Sequence, residues 1–333
     1  MTYRTVLRST FAFVAMLLLS ATAHAQLFRS YLAVAGNDAN PCTLPAPCRL
    51  LPAALTAVAN GGEIWMLDSA NYNTGPVAIT KSVTILAVPG VVGSVLANGG
   101  NAIEIATAGV KVALRNLVIV PFPGGGGSYG IVMTSGAGLT VEDCLIANLP
   151  GNGIWVNAAA SVRITDTTIR DNNSGLFLQN GASATVTRAT ISANPSYGVL
   201  VFGVAASTTT TADIADSTLD LNGYGVFAYS LNATGVVKAS VRDSRIVANS
   251  VGISAWSPGG GALTLSASND IISNNGTGLQ AEAGSKVWAS GNTVSANTTG
   301  LFNNGGTFES ANNNAVRNNG TNKAGTISTI VTE

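Results

Sequence analysis

The apolar positions of this chain return in a fixed phrase, a glycine followed by alternating large residues. It reads Gly130-Ile131-Val132, Gly153-Ile154-Trp155, Gly175-Leu176-Phe177, Gly198-Val199-Leu200, Gly225-Val226-Phe227, Gly252-Ile253-Ser254, Gly278-Leu279-Gln280 and Gly300-Leu301-Phe302. The glycines are 23, 22, 23, 27, 27, 26 and 22 residues apart. A period in this range marks a repeat architecture in which each unit buries its apolar face on its neighbours. Within one unit the alternation has period two and breaks into three pieces: the glycine strand, a strand such as Ser161-Val162-Arg163-Ile164 after a variable loop, and Thr167-Thr168-Ile169 after a tight turn at Asp166. Period two means strands with one face inward. About eleven such units, stacked at ~4.8 Å, predict three parallel sheets around one core in a rod on the order of 50 Å long.

The polar positions repeat as well. Asn116, Asp143, Asp166, Asp216, Asp243 and Asn313 each precede an inward apolar residue by three, with Arg188 in the same place in one unit. Asn and Asp suit a corner that needs a left-handed backbone, and this turn chemistry is preferred over a calcium ladder, which needs six or more converging oxygens. Asn172, Asn194, Asn222, Asn249, Asn274 and Asn297 are assigned to the next turn, where stacked amides bond along the rod. Leu117, Cys144, Thr167, Ala189, Ser217 and Ser244 form an inward column of mostly small residues, so Cys144 reads as a buried thiol. The glycine of the recurring phrase is expected to turn the corner into its strand.

The amino-terminal part differs. Leu50, Leu51, Ala54, Leu55 and Val58 have helical spacing within Pro47 to Asn60 and stop at Gly61-Gly62, with a first strand at Glu63 to Asp68. A helix there would plug the open end of the stack. The division is a leader at 1–25, a capping segment at 26–61 and the repeat body at 62–333. Residues 1–25 read as a secretory leader: Arg4 and Arg8, an apolar core from Phe11 to Leu19, and Ala23-His24-Ala25 as the cleavage signal. The mature chain is expected to be secreted or periplasmic, with no membrane-spanning segment. An oxidising compartment permits a bridge between Cys42 and Cys48 across a proline-containing loop.

Composition sharpens this little. Charged residues make up 10% of the chain and the net charge is zero; without Arg4 and Arg8 the mature chain has 14 basic against 16 acidic side chains. That excludes a nucleic-acid footprint and a polybasic membrane patch.

The run Gly36-Asn37-Asp38-Ala39-Asn40-Pro41-Cys42, then Pro47-Cys48-Arg49, an Ala-rich helix, Gly61-Gly62-Glu63-Ile64 and Tyr72 resembles the N-terminal segment of secreted bacterial β-helix proteins of the pectin lyase-like superfamily. The resemblance implies an all-β, single-stranded right-handed parallel β-helix with an N-terminal capping helix. It implies no one activity, since that superfamily includes lyases, hydrolases and adhesins.

The chemistry must work without histidine, because His24 falls in the leader. Ser–His, Cys–His and histidine-ligated metal mechanisms are therefore excluded, and no cofactor or metal is expected. Neither an adjacent aspartate pair nor an Asn-Thr-Asp triplet of the superfamily's pectin-degrading members is present. Lys238 with Arg242 and Arg245 is the best basic cluster, against the plainer reading of a solvated face beside Asp243. The outward column of the glycine strand is richer: Val132, Trp155, Phe177, Leu200, Phe227, Ser254, Gln280, Phe302. A second column follows it: Thr134, Asn157, Gln179, Phe202, Tyr229, Trp256, Glu282, Asn304. Exposed aromatic surface marks an interface or a ligand groove. Three readings stand: Trp155, Phe177, Phe227, Phe202, Tyr229 and Trp256 stack on a polysaccharide or surface partner, they pair with another subunit, or the loops after Phe202, Tyr229 and Trp256 cover them. A non-catalytic binding protein is the preferred expectation, and a polysaccharide lyase or hydrolase the alternative.

Overall fold

The computed structural model describes residues 26–331. The leader assigned to 1–25 lies outside them. The chain winds through three parallel sheets in strict rotation, from glycine strand to long strand to short strand and on to the next glycine strand. The long-strand sheet has 13 strands and the other two have 11 each. This is a right-handed parallel β-helix, closed around a single core of Ile, Val, Leu and Ala.

The recurring glycines do not turn corners. None of the eight has a positive φ; seven lie within strands and Gly130 immediately precedes one. What excludes a side chain there is the rung next door. A Cβ on Gly198 would lie 2.6 Å from the carbonyl oxygen of Gly225, and one on Gly252 2.5 Å from that of Gly278. Glycine recurs because backbones one rung apart approach too closely for Cβ.

The left-handed corner sits where the Asn and Asp column put it. Asn116, Asp143, Asp166, Arg188, Asp216 and Asp243 all have φ between 50° and 54°. Asn269 and Gly291 continue the column, whereas Asn313 does not share the positive φ. Arg188 donates from Nε and Nη2 to the two carboxylate oxygens of Asp166, both at 2.7 Å, holding that exposed carboxyl below its ordinary range.

The second turn carries a buried amide ladder through Asn172, Asn194, Asn222, Asn249, Asn275, Asn297 and Asn319. Each Oδ1 from Asn194 onward accepts both the backbone N–H and the Nδ2 of the asparagine one rung before, as in Asn194 to Asn222 at 3.1 and 2.9 Å. Each Nδ2 also donates to a backbone carbonyl, such as that of Ile191 for Asn222 at 3.0 Å. Asn275 belongs to the ladder, not Asn274, which is exposed at φ 58°. Ile272 is the inward residue of that rung, and the ladder position is three beyond it.

The amino-terminal end is capped with shorter elements than expected. The helix is Leu51–Ala57, and Val58–Met66 is already strand. Val58 is drawn into the sheet because Leu27–Leu32 forms a strand before it, with Leu27 paired to Val58. The helix buries Leu51, Ala54 and Leu55 over the end of the core, and Ser30 Oγ donates to the Ala54 carbonyl at 3.3 Å. Cys42 and Cys48 form a disulfide along the outer edge of the Leu27–Leu32 strand, where Tyr31 N–H donates to the Cys42 carbonyl at 2.8 Å and Cys48 N–H to the Tyr31 carbonyl at 3.0 Å; their Cα atoms are 4.6 Å apart.

Candidate functional site

Two outer faces could carry function. The first is the glycine sheet. Nine rings on it form one connected network, running Tyr129, Trp155, Phe177, Phe202, Tyr229, Trp256 along the rod, with Phe227, Tyr224 and Tyr197 packed beside Tyr229. Tyr129, Tyr197 and Tyr224 immediately precede glycines of the recurring phrase, and their sequence positions showed no sign that their rings would lie back over the strand.

Ring geometry decides what this face offers. Tyr229 is stacked on Phe202 at 5.5 Å and 6° and on Trp256 at 5.2 Å and 30°, so both of its faces are taken and its edge meets solvent. Phe227 is 6% exposed, lying against Tyr224 at 4.7 Å, Tyr229 at 5.1 Å and Tyr197 at 5.7 Å. It is thus packing rather than a presented ring, as are the buried Val132 and Leu200 in its column. Trp155 and Phe177 are half-buried and tilted to one another by 37°. Trp256, with a single stacking neighbour, is the most open at 37%. Stacked pairs contribute ~0.5–1.5 kcal/mol each beyond area burial, so this ribbon stabilises the rod. The longer loops after Phe202, Tyr229 and Trp256 bond to one another from rung to rung, through Leu231 N–H to Gly203 O at 2.8 Å and Gly259 N–H to Ser230 O at 3.4 Å.

The second face is the outside of the long sheet. Its register places Lys111, Gly138, Ser161, Ser183, Thr211, Lys238, Thr264, Lys286 and Thr307 in one column. That column holds three lysines, five hydroxyls and one glycine, with no carboxylate, over eight rung intervals, or ~38 Å. The parallel column contains Arg163, Thr185, Asp213, Ser240, Ser266, Trp288 and Glu309. Between Ser183 and Glu309 the two columns form a shallow trough of about 750 Å³. Trp288 stands in it 38% exposed and takes no part in the ring network. Asp213 is engaged, accepting from Ser240 Oγ at 2.5 Å and pairing with Arg242 at 3.4 Å.

Lys238 lines this trough, but the basic cluster suggested by the sequence is dispersed. Arg242 is four residues further along the same extended strand, ~13 Å away at strand rise, and it is committed to Asp213. Arg245 lies on another sheet, in the strand Arg245–Val247. Lys286, Trp288 and Glu309 went unrecognised in the sequence. The signal was available in the long strands, whose Lys-x-Ser of Lys238 and Lys-x-Trp of Lys286 align once those strands, and not only the glycine strands, are set in register.

Cys144 lies in the inward column with its thiol pushed up to about 12 by burial. In native protein a thiol reagent such as Ellman's is expected to leave it unmodified for hours and to label one thiol per chain only in denaturant. Prompt labelling of the native protein would contradict the buried placement.

The fold defines the class: a right-handed parallel β-helix protein. Residues 101–264 match the family described as right handed beta helix region. No curated protein matches in sequence. Among solved structures, the pectate lyase Pel9A is similar at 15% identity and a TM-score of 0.58, over 83% of this chain and 77% of that one. XylC in complex with xylose is similar at 8% identity and 0.59, over 80% and 69%. The A-module of mannuronan C-5 epimerase AlgE6 from Azotobacter vinelandii is similar at 12% identity and 0.53, over 84% and 94%. At these identities the likeness is one of fold.

Proposed function

We propose that this protein binds an anionic polysaccharide lengthwise along the outer face of its long sheet. The observation that carries the reading is the column from Lys111 to Thr307, a carboxylate-free strip of ammonium and hydroxyl donors. Lys238 and Lys286 stand two rungs apart, ~10 Å, so a polymer with regularly spaced carboxylates could meet both. Trp288 supplies a ring for a sugar face between Lys286 and Glu309. Pectate and mannuronan in the names of two similar structures support this ligand class.

Binding fits the trough better than hydrolysis. Its carboxylates, Asp213 and Glu309, are four rungs apart, ~19 Å, whereas paired glycosidase carboxyls work at ~5–9.5 Å. Lys238 as the base of a lyase is the enzymatic alternative, and unsaturated ends appearing on incubation with pectate or alginate would establish it.

A second reading keeps the ligand on the aromatic face, where Trp155, Phe177 and the open Trp256 remain accessible. One assay separates the two. Affinity electrophoresis in gels containing pectate or alginate should show at least ~10-fold weaker retardation for K238A/K286A, with strong salt sensitivity in the wild type. Combined substitution of Trp155, Phe177 and Tyr229 by alanine should leave the retardation unchanged if it still folds. Retardation unaffected by the lysine pair, or absent from the wild type, would refute the long-sheet site. We also place the protein outside the cytoplasm, since the Cys42–Cys48 bridge persists in an oxidising compartment. Among the described residues no helix is long and apolar enough to cross a membrane.

A further inference from the structure

Inside the corner between the long and short sheets runs a second polar ladder, through Ser217, Ser244, Asp270, Asn292 and Asn314. Each member accepts the backbone N–H of the residue one rung before: Ala189 to Ser217 Oγ at 3.1 Å, Ser217 to Ser244 Oγ at 3.1 Å, Ser244 to Asp270 Oδ1 at 2.9 Å, Asp270 to Asn292 Oδ1 at 2.9 Å, Asn292 to Asn314 Oδ1 at 2.8 Å. Four of the five also donate to a backbone carbonyl. Ser217 donates to Ala215, Ser244 to Arg242, Asn292 to Ala267 and Asn314 to Ala289, at 2.7–2.8 Å.

Asp270 breaks the rule. It is 1% exposed, and its Oδ2, which takes the place of a donor in its neighbours, has no partner. The carbonyl matching Ala267 one rung earlier is that of Val241. An ionised carboxylate can only accept, so the column has a buried negative atom where every neighbour puts a hydrogen. A carboxylic acid satisfies the position as Asn292 does.

We propose that Asp270 is a proton-holding latch of the rod: a neutral acid that donates within this ladder, and whose ionisation loosens the rung carrying Thr264 and Ser266. The surroundings favour the neutral form. Burial pushes the acid up to about 7, and Asp243 on the preceding corner adds to the rise. Arg242 and Arg245, flanking that corner, are exposed, and the corner on the other side, Ser290 to Thr293, bears no charge. An unfolded chain titrates near the ordinary 3.8 and the folded one near 7, so between them the native state binds the extra proton. Stability therefore falls as pH rises through that window and is lowest above it.

The latch can be read without any ligand, so its failure and failure of the polysaccharide reading are separate results. Thermal unfolding of the full chain and of Asp270→Asn should give matching midpoints at pH 4. At pH 8 the variant should melt higher by roughly 4 °C or more. Asp270→Ser, which copies Ser244 of the rung before, serves if the asparagine variant does not fold. The infrared carbonyl band of a protonated buried acid should be present in the wild type at pH 6 and missing from the variant. A midpoint difference that is the same at both pH values, or no such band in the wild type, overturns the proposal.

Discussion

Asn275→Ala is expected to destabilise the protein by about 3–5 kcal/mol, while Asn274→Ala, its immediate neighbour, costs about 1 kcal/mol or less. Asn275 Oδ1 accepts from Asn249 N at 2.9 Å and from Asn249 Nδ2 at 3.1 Å, and its own Nδ2 donates to the Ile246 carbonyl at 3.0 Å and Asn297 Oδ1 at 2.9 Å. Alanine removes all four bonds and leaves the Asn249 N–H buried without its acceptor. Water cannot replace them without opening the ladder, because Asn249, Asn275 and Asn297 are all at most 3% exposed. Asn274 instead points to solvent, where its amide bonds only Ser273 Oγ at 3.4 Å; its loss is that of a residue tolerating φ 58°. Urea unfolding followed by both circular dichroism and tryptophan fluorescence checks the contrast. Two probes are needed because a solenoid can lose one group of rungs before the rest. Equal effects at 274 and 275 would show that the ladder is not where the structure puts it.

Gly225→Ala should destabilise by about 3 kcal/mol, the upper range for forcing one carbon into a packed interior. The new Cβ would sit 2.5 Å from the Gly252 carbonyl oxygen, 3.1 Å from Ile246 Cγ2 and 3.2 Å from Asn249 Nδ2. The nearest atom is backbone, so no rotamer change relieves the clash; the rungs must part, and Asn249 belongs to the amide ladder. Gly138→Ala is the control. Its Cβ would meet only ordinary contacts, at 3.6 and 3.7 Å, and its φ is not positive, so the same substitution should be neutral or slightly stabilising through the unfolded chain. Thermal midpoints of the two variants settle it, and a Gly225→Ala protein as stable as the wild type would rule out the close approach.

Both experiments bear on how far the residues could be read unaided. The repeat, three strands per turn and the polar corners were visible because solenoid contacts fall at fixed sequence offsets, so local period is also tertiary neighbourhood. Errors came where contact departed from that period. Ala54 and Val58 looked alike as helix positions, but Val58 joins the sheet because Leu27 lies beside it. Asn274 and Asn275 are the same residue type one position apart, and only the inward placement of Ile272 tells them apart.

The site was less legible for a related reason. Alternation showed that Phe227 and Tyr229 leave the core on the outer side, but not that Tyr197 and Tyr224 would fold over the first and that Phe202 and Trp256 would sandwich the second. Side-chain direction off a strand is set by period two, whereas side-chain cover is set by rings whose torsions depend on every neighbour. The long-sheet column was hidden differently. Lys111, Lys238 and Lys286 are far apart in sequence, and loops of unequal length between the rungs obscure their alignment.

The amino-acid sequence thus determined the rod itself: a parallel three-sheet coil, its asparagine and aspartate corners, its inward columns and its disulfide. Each of those but the disulfide is a property of one rung repeated, and the disulfide is a property of one short loop. Tertiary structure alone decided how much of each ring is presented, because Phe227 and Tyr229 are covered by neighbouring rings whereas Trp256 on the glycine sheet and Trp288 on the long sheet stay 37% and 38% exposed. It also decided that an acid, Asp270, occupies a buried place built for a donor, since the need for that hydrogen comes from carbonyls and amides one rung away.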